Sequence, residues 1–292
     1  MLWHTCNRFV RGVIFLICLN GCAAPQTQLL LKTRPEKLPM QVELSAVPFY
    51  PQDIHQCGPA ALAMAMNAGG ANVTPQNMTQ QVYLSGLAGS LQVEMLSATR
   101  RNGMLAYVLA PKLEDILAEV ADGTPVVVLQ NLALNWYTVM HYAVVVGYDL
   151  QREEVILRSG TERRQVIPLT TFEHTWGRSG YWAMLALSPG RVPRTATETS
   201  YISAVVALEK TRGLKSAKPA YEAALRHWPG NLTASIGLGN AAYAVGEIKS
   251  AEKYYLQATL DHPESAIAFN NLAQTLVDQQ RFVEALAAAT QA

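Results

Sequence analysis

The amino-acid sequence predicts an α+β domain over residues 47–187 followed by an all-α domain of helical repeats over 199–292. Helix signals crowd the first part of 47–187 and β-rich runs crowd the second. A doubly wound sheet would alternate the two, so this order points to α+β. Past residue 199 the chain turns Ala-rich and repetitive, with Pro229 and Pro263 34 residues apart. The 292 residues suffice for two domains. With 23 basic against 22 acidic residues, no net field draws in nucleic acid, which is not an expected partner. The long apolar run Val13–Leu19 falls well short of the ~20 residues that span a bilayer.

Residues 1–21 read as an export signal, in which Arg8 and Arg11 lead into an apolar core that ends at Leu19-Asn20-Gly21-Cys22. That ending resembles the bacterial lipobox. The resemblance implies lipidation of Cys22 as the first mature residue, with Ala23 rather than Asp favouring the outer membrane. The expected location is therefore the cell envelope, on the periplasmic face, with residues 22–46 as a polar, lipid-anchored tether. A plain secretory signal cut near Ala24 is the alternative. Cys6 and Cys18 leave with the signal and Cys22 carries lipid, so Cys57 is the one thiol left and no intrachain disulfide can form. In an oxidising compartment such a cysteine is a liability unless buried or chemically useful.

Within 47–187, helices are predicted over 59–67, 75–84, 91–102 and 113–122. Thr74 with Pro75, and Ser90, supply starts, while Gly69, Gly103 and Gly123 supply stops. Strands are predicted over 104–109, 125–129, 142–147, 155–157, 165–168 and 181–187. Residues 188–198, rich in Pro, Thr, Arg and Gly without periodicity, form the expected linker. In the repeats, Ala217, Ala251 and Ala285 superpose, as do Tyr221 with Tyr255 and Ala224 with Ala258. Small residues let two helices approach closely, and Pro ends each unit. This period resembles the tetratricopeptide repeat, which implies a groove for a protein partner or an extended peptide. The match covers about two and a half repeats, near the ~3 needed for a free-standing stack, so the repeats are expected to lean on the first domain or on a partner.

The chemistry gathers around Gln52-Asp-Ile-His-Gln-Cys57-Gly-Pro59. Pro59 suits a first helical turn, which puts Cys57 at a helix start, where free N–H groups and the helix dipole favour a thiolate. A small buried Cys is the plainer reading. A thiolate nucleophile needs a base. His55 is too near in sequence for a well-aligned contact, whereas His141 opens a strand from which its ring can face a helix terminus. An oxyanion donor can come from the Cys57 N–H and an upstream amide, Gln52 first and Gln56 second.

These strings, with His141-Tyr142-Ala-Val-Val-Val-Gly147-Tyr148-Asp149, resemble the bacteriocin-processing, double-glycine leader cysteine peptidases, a papain-like group. The lipoprotein signal and trailing repeats look like a stand-alone branch of it. The resemblance implies a papain-like fold, Cys57 as nucleophile, His141 as general base and Gln52 as oxyanion donor. It also implies a peptide or protein substrate. No phosphate-cradling Gly-x-x-x-x-Gly-Lys string is present, so ATP is not implied and no cofactor is expected.

The family's third member, usually an Asp, is unmatched. Asp149 lies more than ~20 Å along the strand from His141 and is expected to shape a turn with Gln151 and Arg152. Folding back about 150–152 sets Arg158-Ser159-Gly160 opposite His141, and Ser159 is the expected orienter of its ring; Asn131 and Asn135 stay as alternatives. A catalytically weak or inactive fold that serves as an assembly scaffold is therefore the competing reading. A metal site from His55, Cys57 and His141 would need strained His-x-Cys ligation, and no metal is expected. Trp136 and Tyr137 either line a substrate cleft or simply pack.

Overall fold

A computed structural model describes residues 24–51 and 56–292. Its centre is an antiparallel sheet of β1 (Gln41–Glu43), β4 (Leu105–Val108), β5 (Val126–Asn131), β6 (Met140–Asp149), β7 (Glu154–Ser159), β8 (Glu162–Pro168) and β9 (Ala183–Leu187). The strands run in the order β4-β9-β5-β6-β7-β8, with β1 against the far end of β6. β2 (Tyr83–Leu84) and β3 (Gly89–Ser90) form a separate small hairpin. Every pairing is antiparallel, local turns join β5 to β8 in succession, and the α+β expectation holds. β5 reads Val-Val-Val-Leu and is buried along its length because helices cover both sheet faces.

The helices are α1 (Pro25–Thr33), α2 (Cys57–Ala68), α3 (Pro75–Val82), α4 (Gln92–Arg101), α5 (Leu113–Ala121) and α6 (Leu169–Gly177). α2 is apolar all round and is the centre of one core, with Met78, Met95, Val127, Val144 and Met184 against it. α5 and α6 cover the opposite face. Helices expected over 75–84 and 91–102 appear slightly shorter, since Tyr83 and Leu84 pair into the small hairpin. Ser90 does not cap α4. Leu91 holds the cap position without a side-chain bond, and Ser90 belongs to β3.

Two helices contradict the sequence expectation. α6 lies in a stretch to which the sequence reading assigns no element, because its apolar positions, Leu169, Phe172 and Trp176, are few and interrupted by Thr171 and Thr175. The supposed tether is folded from Ala24 onward: Thr27 and Leu30 of α1 are buried, and β1 joins the sheet. Glu173 of α6 explains that docking. Its two oxygens accept the Gln26 N–H at 2.9 Å and the Thr27 N–H at 2.6 Å, satisfying free donors at the start of α1. Cys22 lies outside the described residues.

The repeat region is three helix pairs: α7 (Glu198–Arg212) with α8 (Leu214–His227), α9 (Leu232–Ala244) with α10 (Ile248–Asp261), and α11 (Ala266–Asp278) with α12 (Phe282–Ala289). The period-34 residues are those at the helix contacts, Ala217, Ala251, Ala285, Tyr221 and Tyr255 all being buried. Gly237 and Gly239 leave room for the rings of Tyr221 and Tyr255, with which any Cβ there would collide. The repeats lean on the first domain, as expected. Tyr201, Val205 and Leu208 of α7 share one core with Leu105, Tyr107 and Leu187. Residues 188–197 are tied down rather than loose: Glu119 accepts from the Thr195 N–H and hydroxyl, each at 2.7 Å, and Arg191 pairs with Asp122 at 3.0 Å.

Candidate active site

Cys57 is the first residue of α2, and its neighbours explain why the helix starts there. Gln56 offers no side-chain cap, while Pro59 sits in the first turn, where its missing N–H costs nothing. Gly58 must lack a side chain. A Cβ on it would lie 2.6 Å from Ser90 Oγ, so β3 closes tightly over the helix start. The partly buried Cys57 lines a cleft of about 840 Å³. One wall is Leu87–Leu91 of the small hairpin; the other is Thr138–Tyr142, with Gly160 and Thr161 behind.

His141 lines the same cleft from β6, where it sits opposite Gln130 of β5. Its Nε2 is 3.0 Å from Ser159 Oγ. The β6–β7 turn forms as the sequence implies. Asp149 Oδ1 accepts the N–H groups of Gln151 at 2.9 Å and Arg152 at 3.0 Å, and Asp149 pairs with Glu154. The chain then runs back to the level of His141, and a register shift between Leu157 and Ser159 bends the end of β7. Among the described residues this is the one side-chain hydrogen bond of the ring, which leaves Nδ1 available to a thiol. Burial holds the imidazole below its usual range, so it is neutral at neutral pH and able to accept a proton.

Tyr142 ties the two walls together. Its hydroxyl donates to the Ser90 carbonyl at 3.2 Å and its ring meets Trp182 edge-on at 5.8 Å. Burial, with the nearby Cys57 charge adding to it, pushes that phenol far above its ordinary range, so it stays neutral. The neighbouring Arg158 faces away from the cleft chemistry. It is buried and donates to the backbone carbonyls of Arg163, Ser45 and Val47, bracing the stretch that leads into Cys57.

Cys57, His141 and Ser159 are thus gathered at one end of the sheet. Gln52 and His55 lie outside the described residues. Asn131 and Asn135 do not orient the ring. Asn131 Oδ1 accepts the Ala133 and Val139 N–H groups within its own hairpin, and Asn135 lines a separate depression with Glu173, His174 and Arg178. Trp136 and Tyr137 do not line the cleft, and among the described residues their rings meet only each other, 6.2 Å apart. They are exposed at the hairpin tip, and it is Thr138, Val139 and Met140 that reach the cleft. Sequence reasoning missed Leu87 and Leu91 as wall residues, and Ser90, whose buried hydroxyl has no hydrogen-bond partner among the described residues. Leu87 sits among glycines and small residues, without the strand alternation that would have placed it.

Residues 44–184 match the Peptidase_C39 like family, and 204–249 and 236–292 match the tetratricopeptide repeat. No curated protein matches the chain. Among solved structures, it is similar to a C39-like peptidase from Bacillus anthracis at 20% identity and a TM-score of 0.44, over 54% of this chain and 100% of that one. It is similar also to the peptidase domain of Streptococcus ComA, a bi-functional ABC transporter of a quorum-sensing pathway, at 18% identity and a TM-score of 0.40, over 48% and 98%.

Proposed function

The chain carries a C39-like peptidase domain followed by tetratricopeptide repeats, and from that premise we propose a lipid-anchored cysteine peptidase of the cell envelope. Cys57 is its nucleophile, His141 its base, Ser159 the orienter of His141 and Gln52 its oxyanion donor. Cys22 carries the lipid, at the periplasmic face of the outer membrane. The supporting observation is the 3.0 Å bond from His141 Nε2 to Ser159 Oγ, in the cleft that Cys57 also lines. With Nε2–H donating to Ser159, the Nδ1 lone pair faces the reaction.

The Cys57 sulfur attacks the peptide carbonyl carbon as His141 takes the thiol proton. The Cys57 N–H and the Gln52 amide hold the oxyanion. His141 then returns the proton to the departing amine as the C–N bond breaks, and water releases the acyl group from sulfur. The repeats hold the substrate or a partner protein in their groove.

A catalytically silent scaffold is the second reading, and one feature favours it: a neutral hydroxyl, not a carboxylate, meets the imidazole. Alkylation of the full-length protein with iodoacetamide separates the two. A peptidase site modifies Cys57 near neutral pH faster than does the same cysteine in a His141→Ala variant. Equal rates, with no hydrolysis of peptides that the wild type binds, leave the scaffold.

A further inference from the structure

We infer that the hairpin between β5 and β6 is a membrane-surface anchor, seated in the same bilayer as the Cys22 lipid and holding the mouth of the cleft at that surface. The inference rests on the lipoprotein part of the proposed function. From Leu132 to Met140 the chain carries no charged residue. Leu132, Leu134, Trp136, Tyr137, Val139 and Met140 are all exposed, Trp136 at 84%. A contiguous bare apolar surface of this kind marks an interaction site.

The exposure belongs to an ordered element. Leu132 N–H donates to the Val139 carbonyl at 2.9 Å, and Leu134 and Tyr137 exchange backbone bonds at 3.0 and 3.1 Å. At the root, Asn131 Oδ1 accepts two further N–H groups, and the Arg178 guanidinium donates to the Asn131 carbonyl at 3.1 and 3.2 Å. The hairpin thus presents Trp and Tyr at its tip with aliphatic residues behind. Amphipathic rings of this type settle at the headgroup level, while the aliphatic flanks suit the acyl boundary.

The path of the chain identifies the occupant as lipid. Ala24 is 1% exposed, and the next two N–H donors after Pro25 are held by Glu173. Glu173 borders the same surface depression as Asn135, which is in the hairpin turn. Cys22 is two residues before Ala24, a reach of at most ~7 Å at 3.3–3.6 Å per residue. A lipid carried on Cys22 therefore stays within that short reach of Ala24, whose helix Glu173 holds at the edge of the depression that Asn135 also lines. Two weak attachments, one lipid and one wedge, make a stable anchor where a single one is reversible. Because Thr138–His141 continue from the hairpin into the cleft wall, the substrate is a peptide segment lying on or emerging from that membrane face.

The full chain, matured in bacterial cells, is reconstituted into phosphatidylethanolamine–phosphatidylglycerol vesicles containing an acyl-brominated phosphatidylcholine. Tryptophan emission of the wild type should be quenched and blue-shifted. W136F should lose that quenching while keeping the residual emission of Trp176, Trp182 and Trp228, and while still floating with the vesicles. A wild type that floats but shows no quenching dependent on Trp136 overturns the hairpin anchor and leaves the lipoprotein reading intact. A C22S chain that floats as well as the wild type overturns the lipoprotein reading instead, and the Trp136 quenching still decides the hairpin. A photo-crosslinker at position 136 that joins protein, including a second copy of this chain, rather than lipid in intact cells also overturns the anchor.

Discussion

On the proposed mechanism, Ser159 decides how strongly His141 can act, since a hydroxyl fixes the ring but gives an imidazolium little charge compensation. Losing a neutral hydrogen bond of about 1 kcal/mol predicts that Ser159→Ala slows iodoacetamide alkylation of Cys57 about fivefold. Charge-assisted bonds are roughly twice as strong, about 2 kcal/mol, so Ser159→Asp should raise the rate about thirtyfold above the Ala variant. The burial that lowers the His141 pKa also sets the acid limb. His141 protonates only below about 6.5, so alkylation and hydrolysis should hold through neutrality and fall beneath that pH. Stability follows the same group. The unfolded chain takes up this proton first, so stability is present above the unfolded pKa and is lost as pH falls through the folded one. Denaturant midpoints measured from neutral pH downward should therefore drop less steeply in His141→Gln than in the wild type.

At the scale of elements, two buried glutamates act as ties. Glu173 holds the start of α1, and breaking charged hydrogen bonds of this kind costs about 1–3 kcal/mol. Glu173→Ala should accelerate hydrogen exchange across residues 24–33 before it touches the sheet. Glu119 holds Thr195, and burial raises its pKa above the ordinary carboxylate value. The folded state then binds the proton more tightly than the unfolded one, so this group's contribution declines as pH rises from about 4.5 through the folded pKa. Glu119→Gln keeps an oxygen for Thr195 and should flatten that decline in thermal midpoints between acid and neutral pH. Glu119→Ala should expose residues 188–197 to proteolysis. The central strands and α2–α5 were legible because their apolar runs and Gly and Pro boundaries are local signals. So was Ser159, because a strand, a turn and a register suffice to place it. α1, α6 and the joint were not legible. The apolar positions of α6 are few and interrupted, while α1 and the joint depend on a carboxylate from a distant segment reaching a backbone donor, 147 residues apart for Glu173 and Gln26 and 76 for Glu119 and Thr195. The cleft walls were hidden for the same reason, since Leu87 faces Val139 only once the sheet has formed.

At the scale of the molecule, the peptidase domain and the first repeat are one cooperative body. Tyr201 is fully buried in the shared core, with its hydroxyl 3.3 to 3.4 Å from the carbonyls of Pro189, Arg191 and Ala220. Truncating such a ring costs about 3–5 kcal/mol. Tyr201→Ala should lower one calorimetric transition that both sheet and repeat reporters follow; two separated transitions in the wild type would contradict a shared core. The docked α1 bears on where a shortened chain can begin. Deleting everything up to residue 40, as a floppy leader would permit, strips Thr27 and Leu30 from the interior and strands the Glu173 carboxylate without its donors. A shortened chain has to begin no later than Ala24 to keep the helix; on the lipoprotein proposal it gives up only Cys22 and what precedes it.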